Sequence, residues 1–143
     1  MFLSQTAEYA LRAMVALAAG NGRARTAQDL ASESKIPIDY LSKILNSLAR
    51  AGIITGQRGR GGGFQPVQPA SELMVLRVLA AVDPVKRIKT CPLGLKAHGE
   101  NLCPLHRKLD DAARLVEEAF ATTTIVSLAG QSFCEGETCG AAQ

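Results

Sequence analysis

The stretch YLSKILNSLARAGIITGQRGRGGGFQPVQ, residues 40–68, constrains the fold of this chain more than any other. Together with the preceding Asp39, its first part sets Leu41, Ile44, Leu45 and Leu48 on one stripe at helical spacing, with Asp39, Lys43, Asn46 and Arg50 on the opposite face. Gly52 stands where a helix ends on a glycine. A β-branched run, a basic glycine-rich tip and a second extended run follow, which together read as a hairpin whose tip does not pack.

Upstream, residues 6–19 (TAEYALRAMVALAA) gather Ala10, Leu11, Met14, Val15, Leu17 and Ala18 on one broad helical face, ended by Gly20-Asn21-Gly22. Thr26-Ala27-Gln28-Asp29 resembles a capping box that opens a short helix through Ser34. Ile36-Pro37-Ile38 breaks it, and Pro37 suits the start of the next helix. Two short helices joined by a tight turn, the second with a polar outward face, form the arrangement that enters a major groove. Asp39, Tyr40 and Lys43 would then lie nearest the base edges, with Arg50 further along the same helix. In the hairpin, Arg58 and Arg60 sit among Gly59, Gly61, Gly62 and Gly63, so guanidinium groups and bare backbone N–H groups can approach phosphates or a minor groove. The glycines lack the terminal Gly-Lys-Ser/Thr of a nucleotide-binding phosphate loop. The expected class is mainly α with a small β-wing: a winged helix-turn-helix that binds double-stranded DNA.

Charge agrees with this. The net charge of +3 conceals twelve Lys+Arg against six Asp+Glu in residues 1–90, and four against seven in residues 91–143. A basic front half suits a polyanion. Only 4% of the residues are aromatic and none is Trp, which argues against the stacking platforms of single-strand binders. At 143 residues the chain suffices for one domain with an extension. No run of about 18 apolar residues is present to span a membrane. The apolar residues 1–20 contain Glu8 and Arg12 without a basic leader, so a cytoplasmic location is expected.

In a reducing compartment, four cysteines point to metal binding, redox sensing or free thiols before disulfides. Two of them, with both histidines, fall within residues 91–106, CPLGLKAHGENLCPLH. Cys134 and Cys139 lie in the tail, where a thiol pair can bridge reversibly, supply ligands or do nothing. No second acid/base constellation accompanies the cysteines, so an enzyme is not expected.

The 40–68 stretch together with LSQTAEYALRAMVALA resembles the Rrf-two (Rrf2) family of bacterial winged-helix regulators, from the first residues to about Leu128. The resemblance implies a homodimer on a roughly palindromic operator, with the positions of Asp39, Lys43 and Arg58 touching DNA and a long C-terminal helix joining the subunits. That helix would run from about Pro104 to Ala121, where Leu105, Leu109, Ala112, Val116 and Ala119 recur in heptad-like steps. The organisation expected is a DNA-binding domain over 1–85, a cysteine-containing sensor loop over 86–103, a dimerisation region over 104–130 and a flexible tail over 131–143.

Sensing members of the family hold an iron–sulfur cluster on three cysteines before the long helix. Cys91, Cys103 and His106 keep the family spacing, while Ala97, beside His98, replaces the middle cysteine. Histidine nitrogen can substitute for thiolate in such clusters. By this resemblance the ligands are Cys91, Cys103 and His106, with a fourth from His98 or from Glu8, whose position lends a carboxylate across the dimer in some members. A cluster, 2Fe-2S before 4Fe-4S, stands ahead of zinc, which also accepts two thiolates and imidazole. The function implied is a transcription regulator, of repressor type, that senses redox, nitric oxide or iron–sulfur status. The alternative is a cluster-free repressor controlled by thiol oxidation or a partner protein.

Overall fold

The computed structural model describes residues 3–94 and 101–129. Helix α1 (Gln5–Ala19) begins at Ser4, whose hydroxyl accepts the Ala7 N–H, and buries Ala7, Ala10, Leu11, Ala13, Met14, Ala16 and Leu17. It stops where the chain turns through Gly20, Asn21 and Gly22, the last two at positive φ. Helix α2 (Ala27–Ser34) is capped by Thr26 as expected, with the hydroxyl accepting from Asp29 N–H at 3.1 Å. The reciprocal half differs from a standard capping box: the Asp29 carboxylate accepts a hydrogen bond from the Thr26 hydroxyl at 2.7 Å. Lys35, in the left-handed region, closes α2, and the buried Ile36 leads into α3.

Helix α3 (Ile38–Arg50) buries Leu41, Ile44, Leu45 and Leu48, the stripe read from the sequence. Pro37 caps it one residue earlier than an N1 proline would. Its C-terminus is a Schellman motif: Ile53 N–H reaches Leu48 O and Gly52 N–H reaches Ala49 O, with Gly52 at φ +70°. This motif delivers the chain into strand β1 (Ile54–Gln57), which pairs antiparallel with β2 (Gly63–Pro66) in the register Ile54↔Pro66 to Gln57↔Gly63. On the other side of β2, Arg25 forms an isolated antiparallel bridge, exchanging backbone hydrogen bonds of 2.8 and 2.7 Å with Phe64. The hairpin is thereby tied to the start of α2.

Helix α4 (Val75–Val82) buries Val75, Val78 and Leu79 and packs on α1 and α3. Helix α5 (Pro104–Ala121) has the bounds read from the sequence, yet none of its residues is buried. A short α6 (Ile125–Ala129) returns to α1 and places Ile125 in the same core, held by Val75 N–H to Thr123 O and Ile125 N–H to Leu73 O. The buried cluster therefore joins α1–α4, β1 and α6, and leaves α5 leaning on α4 from outside.

Candidate nucleic-acid interface and metal centre

The core stripe of α3 dictates what faces outward. Asp39, Lys43, Asn46 and Arg50 are exposed, and Arg58 and Arg60 are exposed at the wing tip. Tyr40 is placed differently. It is half-buried, its hydroxyl lies 2.6 Å from Thr6 Oγ1, and its ring meets Tyr9 edge-on at 5.5 Å, so it fastens α3 to α1.

The wing glycines serve the hairpin itself. A Cβ on Gly62 would lie 2.4 Å from Gln57 O, and one on Gly63, at φ +138°, would lie 2.5 Å from Arg25 O. Gly59 and Gly61 have open space around them at positive φ, which leaves the tip backbone accessible beside the two arginines. Arg25 is engaged inside the fold: its guanidinium bonds Glu33 and the Ala16 carbonyl.

The second site forms where α5 begins. Cys103 occupies the N-cap in extended conformation, Pro104 fills the first helical position, and His106 follows in the first turn. Cys103 is buried, with Sγ 3.0 Å from His106 Nδ1, and the half-buried Cys91 brings its Sγ to 3.7 Å from the same nitrogen. The three donor atoms lie within 4.8 Å of one another. Tetrahedral coordination of a single ion by two thiolates and an imidazole needs donors about 3.5–3.8 Å apart, and the spread of these three makes them a candidate metal-holding group. The His106 backbone N–H, pointing from the open helix end at Cys103 Sγ, brings that thiol down to about 7, aided by the imidazole and Cys91 and opposed by burial.

Cys91 belongs to no helix or strand, and the chain just before it is bonded to side chains of α5. Arg87 grips Asp110 through two bonds of 2.7 and 2.8 Å and reaches Glu117 at 3.0 Å, while Ile88 N–H donates to Asp110 Oδ1 at 2.8 Å. The Arg87 fork, then the Ile88 N–H, pull the Asp110 carboxyl down to about 2. Beyond these contacts the chain turns at 91–94, closed by Gly94 N–H to Cys91 O with Gly94 at φ +60°. Arg87, Asp110 and Glu117 are site residues that the sequence pattern did not single out. Their signal was the basic run Lys86-Arg87-Ile88-Lys89 before Cys91 and two carboxylates seven residues apart on the expected helix.

Glu8 sits on α1 paired with Arg12 at 2.7 Å and lies outside the Cys91–Cys103–His106 group of its own chain. His98, Cys134 and Cys139 lie outside the described residues.

Residues 3–131 match the Rrf2 family, described as an iron-dependent transcriptional regulator. The chain belongs to the Rrf2 family. A Mycobacterium tuberculosis protein named as an HTH-type transcriptional regulator is 35% identical over 140 residues, covering 94% of this chain and 85% of that one. IscR of T. potens superposes with a TM-score of 0.75 at 17% identity, covering 100% of this chain and 93% of that one. The oxidized form of Staphylococcus aureus CymR gives a TM-score of 0.67 at 26% identity, with coverages of 90% and 96%. As an Rrf2 protein the chain is a DNA-binding transcription regulator, not an enzyme. Among the described residues of this Rrf2 protein, no helix is long and apolar enough to cross a membrane.

Proposed function

We propose that this Rrf2 regulator binds a double-stranded operator as a homodimer and adjusts that binding through an iron–sulfur cluster held by Cys91, Cys103 and His106. The observation that carries the reading is the convergence of two thiols and an imidazole at the N-terminus of α5, in a family described as iron-dependent. His98 or Glu8 of the partner subunit supplies the fourth ligand. When bound, such a cluster offers a redox-active, nitric-oxide-reactive centre. The chain's own part is to favour ionised donors: the His106 backbone N–H and imidazole hold the Cys103 thiol below the usual thiol range before any metal arrives.

On the DNA side, Asp39, Lys43 and Arg50 meet the major groove and Arg58 and Arg60 the adjoining backbone, with Tyr40 holding α3 in place. Dimerisation is supported by the apolar stripe of α5, on which Leu105 and Leu109 are exposed. Anaerobically purified protein should be coloured and carry iron and acid-labile sulfide in matching amounts, and Cys91→Ser or Cys103→Ser should bleach it without unfolding it. Colourless wild type after attempted reconstitution would remove the cluster.

A second reading is favoured by the lowered Cys103 thiol with Cys91 close by, and by the likeness to a CymR solved in an oxidized form. Here the thiols themselves are the sensor and no metal is held. Chelators would then leave operator affinity unchanged while peroxide altered it.

A further inference from the structure

Two of the three donors are related by local geometry alone. Cys103 and His106 are an N-cap and the residue three positions on, so α5 sets their spacing wherever α5 goes. Cys91 has no such guarantee. Between the end of α4 at Val82 and Cys91, the residues at 83–90 form no helix or strand.

The side chains of α5 supply what the backbone does not. Asp110 lies four residues after His106, one turn along the same face, and Glu117 lies two turns further. Asp110 takes both the Arg87 fork and the Ile88 N–H, and Glu117 takes the remaining reach of Arg87. One turn back from Asp110 to the level of His106 is about 6 Å. Three residues of extended chain, from Ile88 to Cys91, cover at most about 10 Å. A chain fastened at Ile88 therefore brings its thiol to the start of α5 with little slack.

We infer that Arg87, Asp110 and Glu117 form a clamp that positions Cys91 beside Cys103 and His106, which makes them positioning residues of the proposed metal site. The inference rests on the proposed function where it speaks of metal, and on geometry alone where it speaks of the Cys91 thiol. Its parts are not interchangeable with simpler charges. Lysine at 87 cannot hold Asp110 with two bonds while reaching Glu117, and asparagine at 110 keeps an acceptor for Ile88 N–H but loses the charge that Arg87 grips.

The test uses the full chain with Cys134→Ser and Cys139→Ser, so that only Cys91 and Cys103 report. Cobalt(II) titration reads metal affinity, and the thiolate-to-cobalt absorption reads how many thiolates bind. Separately, metal-free protein is equilibrated with reduced and oxidised glutathione. Glutathione disulfide is reduced to two thiols as the Cys91–Cys103 bond forms, and the equilibrium measures how well the two thiols are held together.

Arg87→Ala and Asp110→Ala should weaken cobalt binding by about 10–100-fold, reduce the thiolate absorption toward that of one cysteine, and lower the disulfide equilibrium by a similar factor. Arg87→Lys and Asp110→Asn should fall between these and wild type. Glu118→Gln, which breaks the exposed Arg114 pair on the same helix, should change neither readout. Circular dichroism melts should stay near wild type, because no residue of α5 is in the buried core; should Arg87→Ala fail to fold, Arg87→Lys and Glu117→Gln carry the comparison. Unchanged cobalt affinity and unchanged disulfide equilibrium in the folded clamp variants would overturn the inference. A wild type that ignores cobalt but shows the expected glutathione shifts would sustain the clamp and contradict the metal reading instead.

Discussion

Cys103 Sγ lies 3.0 Å from His106 Nδ1 at the open N-terminus of α5, with the His106 backbone N–H directed at the same sulfur. This pairing prepares a thiolate from residues three apart in sequence, and Cys91 then has only to be brought to it.

The metal-free protein should show this in its pH dependence. The Cys103 thiol, held down to about 7, should alkylate with iodoacetamide at a rate that is half-maximal near pH 7. Because the folded value is depressed, the ionised thiol stabilises the fold most fully above the unfolded value of about 8.5, and that contribution fades as pH falls through 7. His106→Ala should raise the alkylation midpoint by removing the imidazole, while leaving the backbone N–H in place. A midpoint near 8.5 in wild type would contradict the geometry.

On the DNA side, Lys43→Ala and Arg58→Ala should each weaken binding to a selected duplex. If they meet phosphates, each should lower the slope of log affinity against log salt by about one. Arg25→Ala should act otherwise. Its guanidinium is engaged with Glu33 and Ala16 O, so its loss should appear in thermal stability before it appears in the salt slope.

Gly63→Ala tests the wing. The new methyl would press on Arg25 O at 2.5 Å with the backbone at φ +138°, a strain of about 1–3 kcal/mol before any clash is relieved. Calorimetry should register the loss, and operator affinity should fall with the displaced tip. Gly59→Ala, with open space around it, should strain only through its φ of +97° and destabilise less.

The exposed stripe of α5 should reveal itself in assembly. Leu109 is 49% exposed and borders a groove of about 520 Å³ shared with Leu3, Val85, Ala112, Ala113 and Val116. Leu109→Glu should turn a dimer into a folded monomer in sedimentation velocity, since Leu109 is exposed and lies outside the buried core. A wild type that sediments as a monomer would remove dimerisation from the account.

Much of this architecture was legible because its determinants are local. The stripe and Schellman end of α3, the Thr26 cap and the bounds of α5 are written in spacings of three to five residues. Helix α4 escaped because Val75–Val82 is apolar almost throughout, which hides its period, and α6 because it is only five residues long. Tyr40 sits at the border between the α3 stripe and its outer face; what turns it inward is Tyr9 and Thr6, more than thirty residues away. The clamp was hidden for the same reason, as Arg87 meets Asp110 across 23 residues. The metal donors were found by spacing, but the device that brings Cys91 to them is tertiary.

The most direct test of the account is operator affinity for one duplex, selected from a random pool, at fixed salt, compared between anaerobically purified protein and the same protein after chelation. If the Cys91–Cys103–His106 site controls DNA binding, affinity should change at least about fivefold, a typical coupling, and Cys103→Ser should behave like the stripped protein with or without chelator. Equal affinity in both wild-type forms would contradict a regulatory metal and leave the thiols as the sensor.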